Sequence, residues 1–195
     1  MPGVTDKRGA ILEAAIDVFV RDGFEAASVA DIAQEAGVAK GTIYLYFESK
    51  DHLVEQTFWH CHQMNFDAIQ AGLEALPTAM DRLCQRARSA IGWRLAHPRE
   101  AAIESMYFSS PRFGGRVRYS RQFLHSAAVD HIVEAGIEGG EFKELPIPML
   151  GEIFYSVALA MLYHFEQFPE QLEDDAFWAR CRAVFAGALG REGEA

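Results

Sequence analysis

Apolar side chains recur every three or four residues along most of the chain, which is the period of amphipathic helices. No segment keeps the period-two alternation of a half-buried strand, so the sequence predicts an all-α fold with about nine helices. Helices are expected at approximately 5–22, 28–36, 40–47, 49–76, 78–96, 99–109, 113–138, 149–168 and 174–189. Thr5, Ser28 and Ser49 are the expected N-caps of the first, second and fourth helices.

The stretch 28–50 predicts two short helices joined by a tight turn. Ser28 is an N-cap type with Asp31 in the first turn, and Gly37 provides the residue that ends a helix in the left-handed conformation. The second helix runs from Lys40 to Phe47. This arrangement is a helix-turn-helix, whose second helix enters the DNA major groove.

Side chains of the second helix divide into an inner and an outer set. Ile43 and Phe47 lie four residues apart and are expected to pack inward. The outward set carries two cations, a hydroxyl and two phenols, all able to donate to phosphates or base edges. These residues are Lys40, Thr42, Tyr44, Tyr46 and Lys50.

The segment GVAKGTIYLYFESKDHL resembles the signature of the TetR (AcrR-type) family of bacterial transcriptional regulators, and AILEAAIDVFVRDGF resembles that family's first helix. The resemblance covers about the first quarter of the chain. Carried over by position, it implies DNA contacts from Ser28, Ala39, Lys40, Gly41, Thr42, Tyr44, Tyr46 and Lys50. Two residues depart from the family pattern: Ala39 replaces a frequent serine, and Leu45, at a commonly polar or aromatic position, could meet a thymine methyl group.

We expect a helix-turn-helix DNA-binding domain at 1–48 and an effector-binding and dimerisation domain at 49–195, connected by the helix that begins at Ser49. The helix at 149–168 is apolar on nearly all sides, which predicts burial all round. Together with the last helix it favours a homodimer with a four-helix interface, as the resemblance also implies. The alternative is that both helices fill one large core.

The overall charge of the protein would repel DNA, because the net charge is −10. Residues 1–52 are also acidic, with five Lys and Arg against nine Asp and Glu. DNA binding would need a local positive face, for which Lys40 and Lys50 are the main candidates and Lys7 and Arg8 are further ones. Three scattered cysteines, no secretory signal and no uninterrupted apolar run of about 18 residues predict a cytoplasmic protein without a membrane span.

Aromatic residues are concentrated in the second domain, which suits an apolar or aromatic effector. Trp93, Tyr107, Phe123 and Tyr155 are the candidates for lining its pocket, with ordinary core packing as the alternative for each. On the helix at 78–96, Arg82, Arg86 and Arg88 are expected to face outward.

Two polar clusters have the composition of a binding site. Arg112, Arg116, Arg118 and Arg121 would suit an anion, but a solvated face paired with acidic residues is the commoner arrangement. The run His60-Cys61-His62 does not predict a metal site, since adjacent helical residues point to different sides. No nucleophile elbow or phosphate-binding glycine loop is present, so neither a cofactor nor an enzyme is predicted.

The sequence therefore predicts a ligand-responsive transcriptional regulator that binds a palindromic double-stranded operator as a homodimer and is released by a small-molecule effector. The resemblance supplies the expectation that it is a repressor. Two alternatives are an architectural DNA-binding protein without an effector, and a helical small-molecule-binding protein or enzyme.

Overall fold

The computed structural model describes residues 6–113 and 126–191. Within these ranges the chain forms nine α-helices, two short 3-10 turns and a single isolated bridge between Phe142 and Gly190. The helices are α1 Lys7–Ala26, α2 Val29–Glu35, α3 Lys40–Ile43, α4 Lys50–Gln70, α5 Ala79–Ala96, α6 Pro98–Ser109, α7 Ser126–Glu138, α8 Ile147–Gln167 and α9 Asp175–Leu189. The predicted all-α fold is confirmed.

The described residues form two compact units. Unit 1 lies within Met1–Phe66 and His97–Val117, and unit 2 lies within Asp67–Ala96 and Arg118–Ala195. The unit boundary in α4 therefore differs in position from the functional boundary expected at Ser49, which stays a prediction. Unit 1 contains the helix-turn-helix together with α1, most of α4 and α6.

The core of unit 1 is built from the apolar stripe of α1, including Ile11 and Phe19, against residues of α2, α4 and α6. The ring of Phe58 stacks on that of Tyr107 with centroids 3.9 Å apart. Asp6, and not Thr5, caps α1, because the Asp6 carboxylate accepts the Gly9 N–H at 3.1 Å. Thr5 lies outside the described residues.

The structure confirms the predicted start of α4 but not its predicted end. Ser49 caps its start as predicted, since the Ser49 Oγ accepts the His52 N–H at 3.1 Å. The predicted end near residue 76 is wrong, because α4 stops at Gln70 and Gly72 takes a left-handed φ of 77°. A short 3-10 turn at Leu73–Ala75 follows, so the chain changes direction several residues earlier than the apolar pattern suggested.

Unit 2 packs α5, α7, α8 and α9 around fully buried side chains such as Leu83, Val133 and Phe165. The helix predicted at 113–138 is described only from Ser126 onward, and Phe113 itself lies in a turn. The expectation that Arg86 faces outward is wrong, because only 3% of this residue is exposed.

Helix α8 is only partly buried within one chain, so the predicted burial on all sides stays a prediction that depends on a second copy. Phe154 and Phe165 are buried, but Met149, Leu159 and Tyr163 are about half exposed. By length and composition α8 could cross a membrane, and only 28% of its most apolar window is buried. The core helix of a soluble protein can pass the same test of length and composition, so one such helix is weak evidence for a membrane span.

Candidate nucleic-acid interface

The turn between α2 and α3 is fixed by local hydrogen bonds. Ser28 Oγ accepts the Asp31 N–H at 3.1 Å and so caps α2. At the other end, the Gly37 N–H donates to the Gln34 carbonyl and the Val38 N–H donates to the Ala33 carbonyl. This pair of bonds is a Schellman motif, and Gly37 supplies its left-handed residue with a φ of 64°.

The second helix is shorter than predicted, but helix-like turns continue beyond its end. Regular α-helix ends at Ile43 and is only four residues long. The Tyr46 and Phe47 N–H groups both still donate to the Ile43 carbonyl, at 3.0 and 2.9 Å, so the backbone keeps turning as far as Phe47. Ile43 and Phe47 are each only 1% exposed, as predicted, and hold this segment against the core of unit 1.

The opposite face of the segment is open. Leu45 is 80% exposed, and the rings of Tyr44 and Tyr46 are 49% and 41% exposed. Ala39, Lys40 and Gly41 are also exposed, whereas Ser28, Thr42 and Lys50 are half-buried. The eight residues predicted to contact DNA therefore all reach the surface of unit 1 to some degree, with aromatic and basic groups the most accessible.

The cationic side chains near this face differ in whether they already have partners within the protein. Lys50 Nζ donates to the Glu25 carbonyl at 2.8 Å, which ties the start of α4 to the end of α1. Arg8 Nη2 donates to the Gln56 amide oxygen at 2.6 Å, and the Arg8 guanidinium lies 5.7 Å from the centroid of the Phe47 ring. Among the described residues, Lys40 has no hydrogen-bond or ion-pair partner and is the most available of the three.

Arg112 belongs to the arginine cluster that would suit an anion, and it is paired with carboxylates. Its guanidinium lies 2.6 Å from Asp51 and 3.6 Å from Glu25. For this residue the arrangement is the commoner one, a partly exposed cation among acidic neighbours. Arg116, Arg118 and Arg121 lie outside the described residues.

The candidate effector residues do not all share one unit. Tyr107 is buried in the core of unit 1, stacked between Phe58 and Phe113. Trp93 and Tyr155 belong to unit 2, where Trp93 is 7% exposed. Burial raises the pKa of Tyr155 to about 12, although the nearby Arg86 guanidinium opposes that rise. Phe123 lies outside the described residues.

Two buried polar groups were not anticipated as sites. In unit 1, the Glu104 carboxylate accepts the amide of Asn65 at 2.9 and 3.1 Å and lies 3.0 Å from His62 Nδ1. In unit 2, Arg86 is buried beside Tyr155. The sequence offered one signal for the first group: Asn65 is a polar residue on the apolar stripe of α4, where a side chain is expected to be buried. It offered none for the second.

No group of three or more His, Cys, Asp or Glu residues in the described part of the chain is placed so as to hold a metal ion. Within the run His60-Cys61-His62, Cys61 is buried, His60 lies 3.5 Å from Glu13 and His62 contacts Glu104. The two histidines thus serve different neighbours within unit 1.

The two-helix element, its exposed second segment and the all-α architecture define a helix-turn-helix DNA-binding regulator. Comparison with known proteins names the family. The family model for bacterial regulatory proteins of the tetR family matches residues 11–57. A TetR family transcription regulator from Shewanella sp. PV-4 is 32% identical, with a TM-score of 0.80 over 95% of this chain and 99% of that chain. The chain therefore belongs to the TetR family.

Two further relatives carry functional descriptions. The fatty acid metabolism regulator protein of Bacillus subtilis is 26% identical over 137 residues, which are 69% of this chain and 70% of the relative. The structure of the Bacillus subtilis regulator FadR in complex with stearoyl-CoA is 20% identical, with a TM-score of 0.75 over 91% of this chain and 97% of that chain. At that identity the second likeness concerns the fold alone. As a TetR-family member, the chain is a DNA-binding transcription regulator and not an enzyme.

Proposed function

We propose that this regulator is a cytoplasmic, homodimeric repressor that binds a palindromic operator and is released by a small, largely apolar effector bound within 49–195. The observation that carries the DNA-binding part is the division of the recognition segment. Ile43 and Phe47 are buried while Lys40, Tyr44 and Tyr46 are exposed. An exposed face of phenols and an ammonium group offers donors to phosphates and base edges.

The homodimer is supported by the apolar surface of α8 and α9. Leu159 and Tyr163 on α8 and Val184 on α9 are each about half exposed. Between the two helices runs an open groove of about 500 Å³ whose walls include Val157, Met161 and Phe177. A soluble monomer seldom leaves such apolar surface uncovered, and a second copy of the same two helices would cover it about a two-fold axis.

The effector part is supported by relatives and by the aromatic content of unit 2. One relative is named for fatty acid metabolism, and the FadR protein of like fold holds stearoyl-CoA. Both names fit an effector with a long apolar body. Such a ligand releases the operator only if it binds the two DNA-binding states of the dimer unequally. Half-sites lie about 34–36 Å apart, so a modest change in spacing would prevent simultaneous docking.

The proposal is tested with a fluorescence-anisotropy titration of DNA from the region upstream of the protein's own gene. Tyr44→Ala removes an exposed ring and should weaken binding by about tenfold or more without changing the melting temperature. Leu159→Arg should convert a dimer to a monomer in sedimentation equilibrium and abolish tight operator binding. Unchanged operator affinity in Tyr44→Ala, or a wild-type monomer that binds the operator tightly, would refute the proposal. Binding that ignores DNA sequence and every metabolite would favour an architectural protein.

A further inference from the structure

Arg86 is a buried cation without a carboxylate partner in the part of the chain that the structure describes. It lies on α5 with 3% of its surface exposed. Its Nη1 donates to the Gln70 amide oxygen at 3.4 Å, and the Tyr155 phenol is the other group close enough to act on the pKa of its guanidinium. Both partners are neutral, and all three residues belong to unit 2.

The neighbouring arginine of α5 illustrates the contrast. Arg88 is more exposed, and it is 2.8 Å from Asp175 and 3.7 Å from Glu173. A surface cation in this chain, which has ten more acidic than basic side chains, thus finds carboxylates readily. Of the residues outside the described ranges, 114–125 contain no Asp or Glu, and only Glu192 and Glu194 carry a carboxylate side chain. The isolation of Arg86 is therefore not explained by a shortage of acidic residues elsewhere in the protein.

A buried guanidinium cannot relieve its charge by losing a proton. Desolvation lowers the pKa of Arg86, but arginine starts so high that it stays protonated in proteins. Tyr155 does not supply a negative charge either, because burial raises its pKa to about 12. An uncompensated charge in a protein interior is strongly unfavourable, and an anion that enters beside it removes that penalty.

We propose that Arg86, together with Tyr155 and Gln70, binds the anionic group of the effector. This inference rests on the proposed function and deepens it by naming the effector class: an apolar body that carries a carboxylate or phosphate. A guanidinium holds either group through two parallel N–H donors. The Tyr155 hydroxyl and the Gln70 amide add neutral hydrogen-bonding groups at the same place.

The test compares ligands that differ only in the head group. Decanoate, decyl phosphate and 1-decanol are titrated into the full-length protein without DNA, and dissociation constants are measured by isothermal calorimetry. Wild type should bind at least one of the two anions about tenfold more tightly than the alcohol, the effect of a charge-assisted hydrogen bond. The two anion arms distinguish a carboxylate effector from a phosphate effector.

Substitution of Arg86 locates the preference. In Arg86→Met, which keeps an unbranched apolar stem but removes the guanidinium, the anion and the alcohol should bind about equally. Arg86→Lys retains the charge but loses the paired donors, so it should keep part of the preference. Arg88→Met makes the same charge change on the same helix at an arginine that already has carboxylates, and it should leave the preference as in wild type.

A purely structural role predicts a different pattern. If Arg86 only holds the fold together, Arg86→Met lowers the melting temperature of the ligand-free protein, whereas removal of an unpaired buried cation raises it or leaves it unchanged. A folded Arg86→Met that still prefers the anion overturns the proposal, as does a wild type without any preference. Should Arg86→Met fail to fold, the comparison of Arg86→Lys with Tyr155→Phe decides, and full anion preference in both overturns the proposal.

Failure of the inference is distinguishable from failure of the proposed function. Wild-type operator binding is measured separately by anisotropy. Operator binding without an anion preference removes the Arg86 site alone. An anion preference without operator binding removes the repressor proposal and leaves the site in place.

Discussion

Lys40 gives the sharpest prediction about DNA binding, because its effect can be separated from protein stability. It is exposed at the first position of α3, and in the described part of the chain nothing neutralises its ammonium group. Lys50, by contrast, already donates to the Glu25 carbonyl at 2.8 Å. We therefore expect Lys40→Ala to remove a phosphate contact without removing an internal bond.

The magnitude follows from counterion release. Each neutralised phosphate contributes about 0.9 to the slope of log affinity against log salt concentration, so the two subunits of a dimer contribute about 1.8. Over a tenfold rise in salt, wild-type affinity should fall about 60-fold more than that of Lys40→Ala. The difference is measurable because a protein of net charge −10 should make few phosphate contacts in total.

The folded state should not suffer from this substitution. A cation at a helix N-terminus is unfavourable with respect to the helix dipole, so alanine there is neutral or slightly stabilising. The melting temperature of Lys40→Ala should therefore equal or exceed that of wild type. A loss of operator affinity in this variant then reflects lost contact and not unfolding.

The assay is an anisotropy titration of the operator at several potassium chloride concentrations, with wild type, Lys40→Ala and Lys40→Arg side by side. Lys40→Arg keeps the charge and should keep the wild-type slope. An unchanged slope in Lys40→Ala would refute the assignment of Lys40 to a phosphate. A changed slope in Lys40→Arg would show that the slope is not reporting the charge.

Three further predictions concern the same unit. Gly37→Ala should lower the free energy of unfolding by about 1–2 kcal/mol in urea titrations, because a side chain at a φ of 64° is strained. Ala39→Ser should raise it by about 1 kcal/mol, since Ala39 is an extended N-cap whose side chain makes no hydrogen bond. Burial raises the pKa of Cys61 from 9.0 to about 12, so the native thiol should resist iodoacetamide at pH 8. Because the unfolded thiol ionises first, Cys61 should also lower stability as pH rises from about 9 to 12.

Each of these has a matched control. Gly41→Ala lies in α3 without a left-handed φ and has open space around it, so it should stabilise where Gly37→Ala destabilises. Ala39→Val adds bulk without an acceptor and should not reproduce the gain from serine. Urea-unfolded protein provides the reference rate for Cys61. Equal rates in native and unfolded protein, or equal effects of the two glycine substitutions, would contradict the reasoning.

Local stereochemistry explains what the sequence predicted well. The cap at Ser28, the left-handed residue at Gly37 and the inward pair Ile43 and Phe47 depend on neighbours within a few positions. Such features follow from hydrogen-bonding chemistry and helical periodicity alone. The early end of α4 at Gln70 was missed because the apolar period continues through residue 76 and outweighed the signal of Gly72.

Arg86 shows where sequence reasoning reaches its limit. Its charge predicted an outward position, like that of Arg82 and Arg88. Its burial depends on Gln70 and Tyr155, which are 16 and 69 positions away, so no local pattern contains it. The same applies to Glu104, whose burial depends on Asn65 and His62 of α4. Whether a polar residue is buried depends on partners that are distant in sequence, so a local pattern does not predict it.

Helix α8 shows a different kind of limit, because its apolar pattern predicts burial but does not say whether the same chain or a second copy provides it. Its apolar residues on nearly every side predicted burial all round, yet one copy of the chain leaves Leu159 and Tyr163 about half exposed. They lie one helical turn apart, as do Ser156 and Ala160 in the wall of the groove beside α9. A sequence selected for burial in an assembly carries apolar residues that a single fold does not need. The gap between the predicted and the observed burial of α8 is therefore itself an argument for a second copy of the chain at this face.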